Sequence, residues 1–350
     1  LSEIKGRGAQ KKTGNKFLKN SYHHHLDWDY ENDEPSKTRL FFESPKEIVN
    51  KVLSPDVPMG FSINPYQGCE HGCVYCYARN SHQYWGFGAG LEFEQNIIIK
   101  KNAPELLRKK FNTKAWKGDP VMLSGNTDCY QPLERKFKIT QELLKVCYEF
   151  KNPVGIITKN RLITRDIEIL KVLAKENLTS VNISINSSNE ILIRKLEPRT
   201  STYKQRLHTI EYLSNAGIKV SALLAPIIPG LNNTEIPKIL KDCANAGAIN
   251  AGYIVVRLNG DVAKVFDNWV YQEYPQRAKK ILSQISSLHG GKLNDSRYKT
   301  RMKGEGEWAK IIKSQFKLFY KMYFPNPEKI HFNTNLFSNQ HSQNQLKFNF

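Results

Sequence analysis

From residue 60 onward, short apolar runs alternate with segments whose apolar residues recur at helical spacing. Runs at 61–64, 121–124, 154–158, 180–185, 219–225 and 253–258 predict strands, and 140–150, 162–175, 202–216 and 234–246 predict helices between them. Gly217 and Gly247, just past two of these helices, suit C-terminal caps. Six strands alternating with helices predict a parallel sheet of the α/β class. The natural closure is a partial (β/α)6 TIM-like barrel with its function in the loops after each strand. Beyond residue 260 the pattern changes to amphipathic helices at 275–288 and 308–322, with Pro275 suited to a first turn.

Both ends differ from this middle. Residues 1–57 are polar and charged, and predict an arm that wraps the domain or is partly mobile. Residues 333–350, rich in Asn, Gln and Ser, predict a flexible tail. The chain therefore divides into an N-terminal arm (1–57), a barrel (58–260), a helical C-terminal extension (261–332) and a tail (333–350). No apolar run approaches a membrane span: the best, at 221–231, is short and broken by Pro226 and Pro229. The first residues lack the apolar centre of a signal peptide, so the expectation is a cytoplasmic protein with no membrane partner.

Charge adds a partner. The 350 residues carry 52 basic and 33 acidic side chains, a net charge of +19, concentrated at 5–19, 100–117 and 297–329. Each neutralised phosphate releases condensed counterions, so such a surplus favours nucleic acid, DNA or RNA, over a merely basic surface.

Of six cysteines, three fall within eight residues: Gly68-Cys69-Glu70-His71-Gly72-Cys73-Val74-Tyr75-Cys76-Tyr77. In a cytoplasmic chain this clustering predicts a metal site. Thiolates suit zinc or an iron–sulfur cluster. A structural zinc site needs four protein ligands, and His71 could be the fourth. Three cysteines alone leave one iron of a cubane open to another molecule, and the lack of a fourth cysteine nearby favours that arrangement. The remaining cysteines are dispersed; Cys147 and Cys243 lie in predicted helices and read as small core residues.

The spacing C-x3-C-x2-C, with Tyr75 as the aromatic before the last cysteine, resembles the signature of the radical S-adenosylmethionine (SAM) superfamily. The resemblance implies a [4Fe–4S] cluster on Cys69, Cys73 and Cys76 whose open iron is chelated by S-adenosyl-L-methionine. It also implies an electron donor such as flavodoxin or ferredoxin, and reductive cleavage to a 5′-deoxyadenosyl radical that abstracts hydrogen. Further triplets, among them Ile157-Thr158-Lys159, Leu196-Glu197-Pro198 and Ala225-Pro226-Ile227, are similar to the spore photoproduct lyase (DNA repair photolyase-like) group. That likeness implies that Thr127 and Lys159 hold the methionine or ribose part of the cofactor, with Ser184 and Ala225 nearby. It places Asp128 where the amino group binds, and Tyr75 and Tyr77 against the adenosyl group, able to relay a hydrogen atom. The chain departs from the lyase at Gly125, where the lyase has a hydrogen-donating cysteine. Cys129 is the nearest thiol, and reads either as a substitute hydrogen donor or as a small buried residue.

Weaker signals lie toward the C-terminus. Gly290-Gly291 and the glycines at 304 and 306 lack phosphate-loop spacing. Arg297, Lys299, Arg301 and Lys303, interleaved with Tyr298, read either as a nucleic-acid grip or as a solvated loop. The final Gln345-Leu346-Lys347-Phe348-Asn349-Phe350 faintly resembles peptides that dock on bacterial sliding clamps. The leading expectation is a radical enzyme acting on nucleic acid in repair or modification. The alternatives are the same chemistry on a protein or small molecule, and a zinc-bearing nucleic-acid binder without chemistry.

Overall fold

The computed structural model describes residues 4–17, 37–57 and 59–340. The described residues form ten strands: β1 (Arg39–Phe42), β2 (Val49–Lys51), β3 (Phe61–Ile63), β4 (Tyr66–Gln67), β5 (Asn96–Ile99), β6 (Val121–Leu123), β7 (Val154–Thr158), β8 (Thr179–Ser184), β9 (Val220–Ile227) and β10 (Asn250–Val255). The larger sheet runs β10-β9-β8-β7-β6-β3-β2. From β3 to β10 the neighbours are parallel and follow chain order, with Phe61 against Val121, Val121 against Val154 and Val154 against Thr179. Among the described residues β10 does not pair with β3, so the cylinder stays open as a partial barrel. Val121, Leu123, Val154, Ile156, Val181 and Val220 are fully buried, as befits strands with crossover helices outside and the barrel interior within.

All six expected barrel strands are present. The last begins at Asn250, because Asn250, Ala251 and Gly252 pair with Ser221, Ala222 and Leu223 despite their weak apolar signal. Local chemistry fixes the helix starts. Thr202 and Gln205 form a reciprocal capping box on Tyr203–Asn215, and the Asn189 side chain accepts from the Ile191 and Leu192 amides at 2.9 and 3.2 Å. Gly217 and Gly247 take the left-handed conformation (φ 80° and 92°) after their helices, as expected. Pro275 is not a first-turn residue. It lies in a turn between Val262–Glu273 and Ala278–Ser287, closed by the Arg277 amide on the Tyr274 carbonyl at 2.9 Å.

The described residues of the expected arm include two strands. β2 is antiparallel to β3 in the barrel sheet, and β1 is parallel to β5 in a second sheet that also holds β4. The tail is likewise ordered at its start: Phe337 packs on Phe111 with ring centroids 6.2 Å apart, and Asn339 Nδ2 donates to the Phe111 carbonyl at 2.9 Å. The clamp-like hexapeptide lies outside the described residues. Cys147 and Cys243 are fully buried core residues. No helix among the described residues is long and apolar enough to cross a membrane.

Candidate functional site

The cysteine loop follows β4 at the carboxyl end of the barrel's first strand. The 196–206 segment cradles it. The Val74 amide donates to the Leu196 carbonyl at 3.1 Å, the Arg199 amide to the His71 carbonyl at 3.3 Å, and the Tyr75 hydroxyl to the Glu197 carboxylate. Glu197 is in turn ion-paired with Arg206, both being essentially without solvent exposure. Arg206 also donates to the Ser201 and Ser184 carbonyls, each at 2.9 Å. Burial raises the Glu197 carboxyl, and Arg206 opposes that rise.

On its other side the loop is held by Glu94 and Arg79, a fully buried pair at 2.5 Å. Arg79 Nε donates to the Cys73 carbonyl at 2.9 Å, while Glu94 accepts from the Gly8 and Ala9 amides at 3.0 and 2.8 Å. This pins the N-terminal segment onto Gly72. An added Cβ at Gly8 would run into the Gly72 carbonyl oxygen and come within 2.9 Å of Val74 Cγ1, so only glycine fits the approach. Gly72 itself turns with φ 70°.

The donor set fits an iron–sulfur cluster. Burial pushes all three thiols up, and the peptide N–H groups of His71 and Asp128 at Cys69, and of Ala78 and Arg79 at Cys76, favour the thiolates. The charge of Lys159 favours the thiolates of Cys73 and Cys76 as well. His71 is not positioned as a fourth ligand. Its Nε2 accepts from Asn160 Nδ2 at 3.1 Å and its Nδ1 faces Asp128 Oδ2 at 3.4 Å, so both ring nitrogens are committed. Burial holds the imidazole at about 4, neutral at pH 7.

The other expected residues fall into three groups. Lys159, Ser184 and Ala225, from three adjacent strand ends, form one line: Lys159 Nζ donates to Ser184 Oγ at 3.1 Å, and Ser184 Oγ to the Ala225 carbonyl at 3.3 Å. Thr127 and Asp128 brace the loops. Thr127 Oγ1 donates to the Tyr66 carbonyl at 2.6 Å, and Asp128 accepts from Thr158 Oγ1, the Tyr130 amide and the Lys159 amide at 2.8–2.9 Å. With His71 as a fourth neighbour, the acceptor sites of Asp128 are filled from within the chain. Of the tyrosines, Tyr75 is buried with its hydroxyl engaged, whereas Tyr77 is 48% exposed and donates to the Gly125 carbonyl at 2.7 Å.

Of the two readings of Cys129, the structure favours the small buried residue: it has no exposed surface, packs in the main core, its amide donates to Ser124 Oγ at 2.8 Å and its carbonyl accepts from Thr140 Oγ1 at 2.6 Å. A cysteine side chain at Gly125 would also bring Cβ within 2.7 Å of Ser62 Cβ, so the space for the lyase's thiol is taken. In the loop 295–303, three of the four cations have partners within the chain. Arg297 pairs with Asp295 and Glu305, each at 2.7 Å, Arg301 pairs with Asp56 at 2.6 Å, and Lys303 donates to the Tyr253 carbonyl at 2.8 Å. Arg301 and Lys303 are thus held within the fold, while Arg297 stays exposed beside its two acids. Sequence reasoning missed the charged braces Glu94, Arg79 and Arg206. Glu197 stood in a recognised triplet, but without a role.

The radical SAM superfamily model matches residues 63–243, more than half the chain, from β3 through the Cys243 helix. The chain belongs to the radical SAM superfamily. It is a radical SAM enzyme, and its cofactors are a [4Fe–4S] cluster and S-adenosylmethionine. An uncharacterised Mycobacterium tuberculosis protein is 29% identical over 234 residues, 66% of this chain and 69% of that protein. One from Methanocaldococcus jannaschii is 29% identical over 252 residues, 72% of this chain and 90% of that one. Among solved structures, spore photoproduct lyase complexed with dinucleoside spore photoproduct is similar with a TM-score of 0.61 at 17% identity, covering 84% of this chain and 82% of the lyase. That likeness establishes a shared fold.

Proposed function

We propose that Cys69, Cys73 and Cys76 hold the [4Fe–4S] cluster, that Lys159, Ser184 and Ala225 line the S-adenosylmethionine site, and that the substrate is nucleic acid. When bound, the cluster and S-adenosylmethionine supply a reductive cleavage that yields a 5′-deoxyadenosyl radical. The chain's own residues supply position. Arg79, Glu94, Glu197 and Arg206 fix both sides of the cysteine loop, and Asp128 with Asn160 fixes His71 between two of the cysteines. Lys159 presents an ammonium group to the carboxylate of an amino-acid moiety, and Tyr77 offers a half-exposed ring beside the loop.

The observation that carries this reading is the line from Lys159 through Ser184 to Ala225, with the Lys159 charge bearing on two of the three thiols. Nucleic acid is favoured by the net charge of +19 and by the fold shared with a lyase that takes a dinucleoside lesion. Cys129 and Gly125 argue for a reaction other than the lyase's own. The test is anaerobic reconstitution with labelled substrates. The expected result is about four irons per chain, 5′-deoxyadenosine formation, and deuterium transfer into it from a deuterated oligonucleotide. A metal ligated wholly by protein, or label arriving only from a peptide or small molecule, would overturn the respective half.

A further inference from the structure

The 3-10 helix Tyr77–Trp85 leaves the cysteine loop and carries Tyr84 and Trp85 at its far end. Tyr84 is 74% exposed, and Phe17, itself 49% exposed, stacks on it with centroids 4.8 Å apart and planes 28° from parallel. Lys16 Nζ stands 4.9 Å from the Phe17 ring centre and Lys100 Nζ 5.8 Å from that of Trp85. Next along, Lys101 Nζ lies 4.0 Å from the ring of Phe42, which is 57% exposed on β1. Rings and ammonium groups thus meet at two places, Phe17 and Tyr84 with Lys16 and Phe42 with Lys101, connected along the chain by Lys100 against Trp85. Lys16 and Lys101 make no ion pair among the described residues, in contrast to Arg297 and Arg301.

Beside this face lies a cavity of about 520 Å³, lined by Lys16, Asn80, Gln83, Asn259 and Lys264 among others. Gln83 is 2% exposed; its Nε2 donates to Asp261 at 2.5 Å, while its Oε1 has no partner among the described residues. Asn259 Oδ1 is likewise buried and unpartnered. The amide side chains in the cavity wall, Asn80, Gln83 and Asn259, are of the kind that pair with the polar edges of bases.

We infer that this face binds an unpaired nucleic-acid strand, with Tyr84, Phe17 and Phe42 stacking on bases and Lys16, Lys100 and Lys101 taking phosphates. Every base has a π face, so aromatic platforms set in a basic groove hold single strands with little regard to sequence. A duplex keeps its bases stacked on each other and gains nothing from the rings. An acidic peptide would use the lysines but leave the aromatic surface uncovered. The inference rests on the nucleic-acid reading above and adds where, and in what form, the strand lies.

The test uses the reconstituted holoenzyme and fluorescein-labelled single-stranded and duplex DNA and RNA, with anisotropy read over a salt series. The wild type is expected to prefer single strands. Tyr84→Ala and Phe42→Ala should each weaken that binding roughly tenfold, with iron content and thermal unfolding unchanged. Lys101→Gln should lower the slope of log K against log salt by about 0.7. Unchanged affinity and slope in all three variants, with the wild type still binding, would overturn this surface and leave the nucleic-acid reading standing. A wild type that binds no nucleic acid would overturn both. Equal competition by polyglutamate or anionic vesicles would reassign the face to a different polyanion.

Discussion

Lys159 Nζ donates to Ser184 Oγ at 3.1 Å, tying the ends of β7 and β8 together within electrostatic reach of Cys73 and Cys76. A charge-assisted hydrogen bond to a ligand carboxylate is worth ~1.5–3 kcal/mol. Lys159→Met should therefore weaken S-adenosylmethionine binding by roughly ten- to a hundredfold while iron content stays at the wild-type level. Equilibrium dialysis of the anaerobic protein would check this, and unaltered affinity would remove Lys159 from the site.

The thiols permit a sharper test. Cys73→Ala is expected to lose the cluster and all 5′-deoxyadenosine formation together, because two thiolates hold a cubane poorly. Iron and sulfide per chain are the readouts. A variant that still assembled the cluster and cleaved the cofactor would show that the ligands had been misassigned.

Cys129→Ala should behave oppositely. The thiol is fully buried in the main core, so its removal should cost ~1–3 kcal/mol of stability with the same products in the same ratio. A shifted product distribution would return Cys129 to the chemistry.

The Glu197–Arg206 pair has no solvent exposure to speak of, and it also receives the Tyr75 hydroxyl. Removing one charge from such a pair leaves the other buried without its partner, at a cost of about 3–5 kcal/mol. Glu197→Gln should lower the urea midpoint of the holoenzyme accordingly and make cluster retention poorer. A loss under about 1 kcal/mol would mean that water reaches Arg206.

Gly8→Val probes the strap over Gly72. Overpacking at this contact should cost about 1–3 kcal/mol and expose the preceding residues to limited proteolysis. It should also make the cluster more sensitive to oxygen. Proteolysis and oxygen decay identical to wild type would show that the strap does not shield the loop.

The barrel strands were legible because they are apolar runs buried on both faces, and that signal is local. The second sheet was not. Arg39–Phe42 has mostly exposed side chains and Tyr66–Gln67 only two residues, so both are strands by virtue of partners far along the chain. The cysteines announced themselves by spacing. Glu94, Arg79 and Arg206 did not, since a charged residue in sequence reads as surface until the opposite charge that permits its burial is placed beside it. For the same reason the sequence left two readings of Arg297 and Arg301 open, because their partners Asp295, Glu305 and Asp56 are placed only by the fold.

An open barrel leaves two rims, and each is blunted. At one, β2 is three residues long and turns Asn50 and Lys51 outward; at the other, Lys303 caps the Tyr253 carbonyl of β10. Among the described residues, a three-residue strand at one border and a lysine on a backbone carbonyl at the other make each a poorer template for a stray chain. The incomplete cylinder can thus stay open without inviting neighbouring copies to extend it into a fibre.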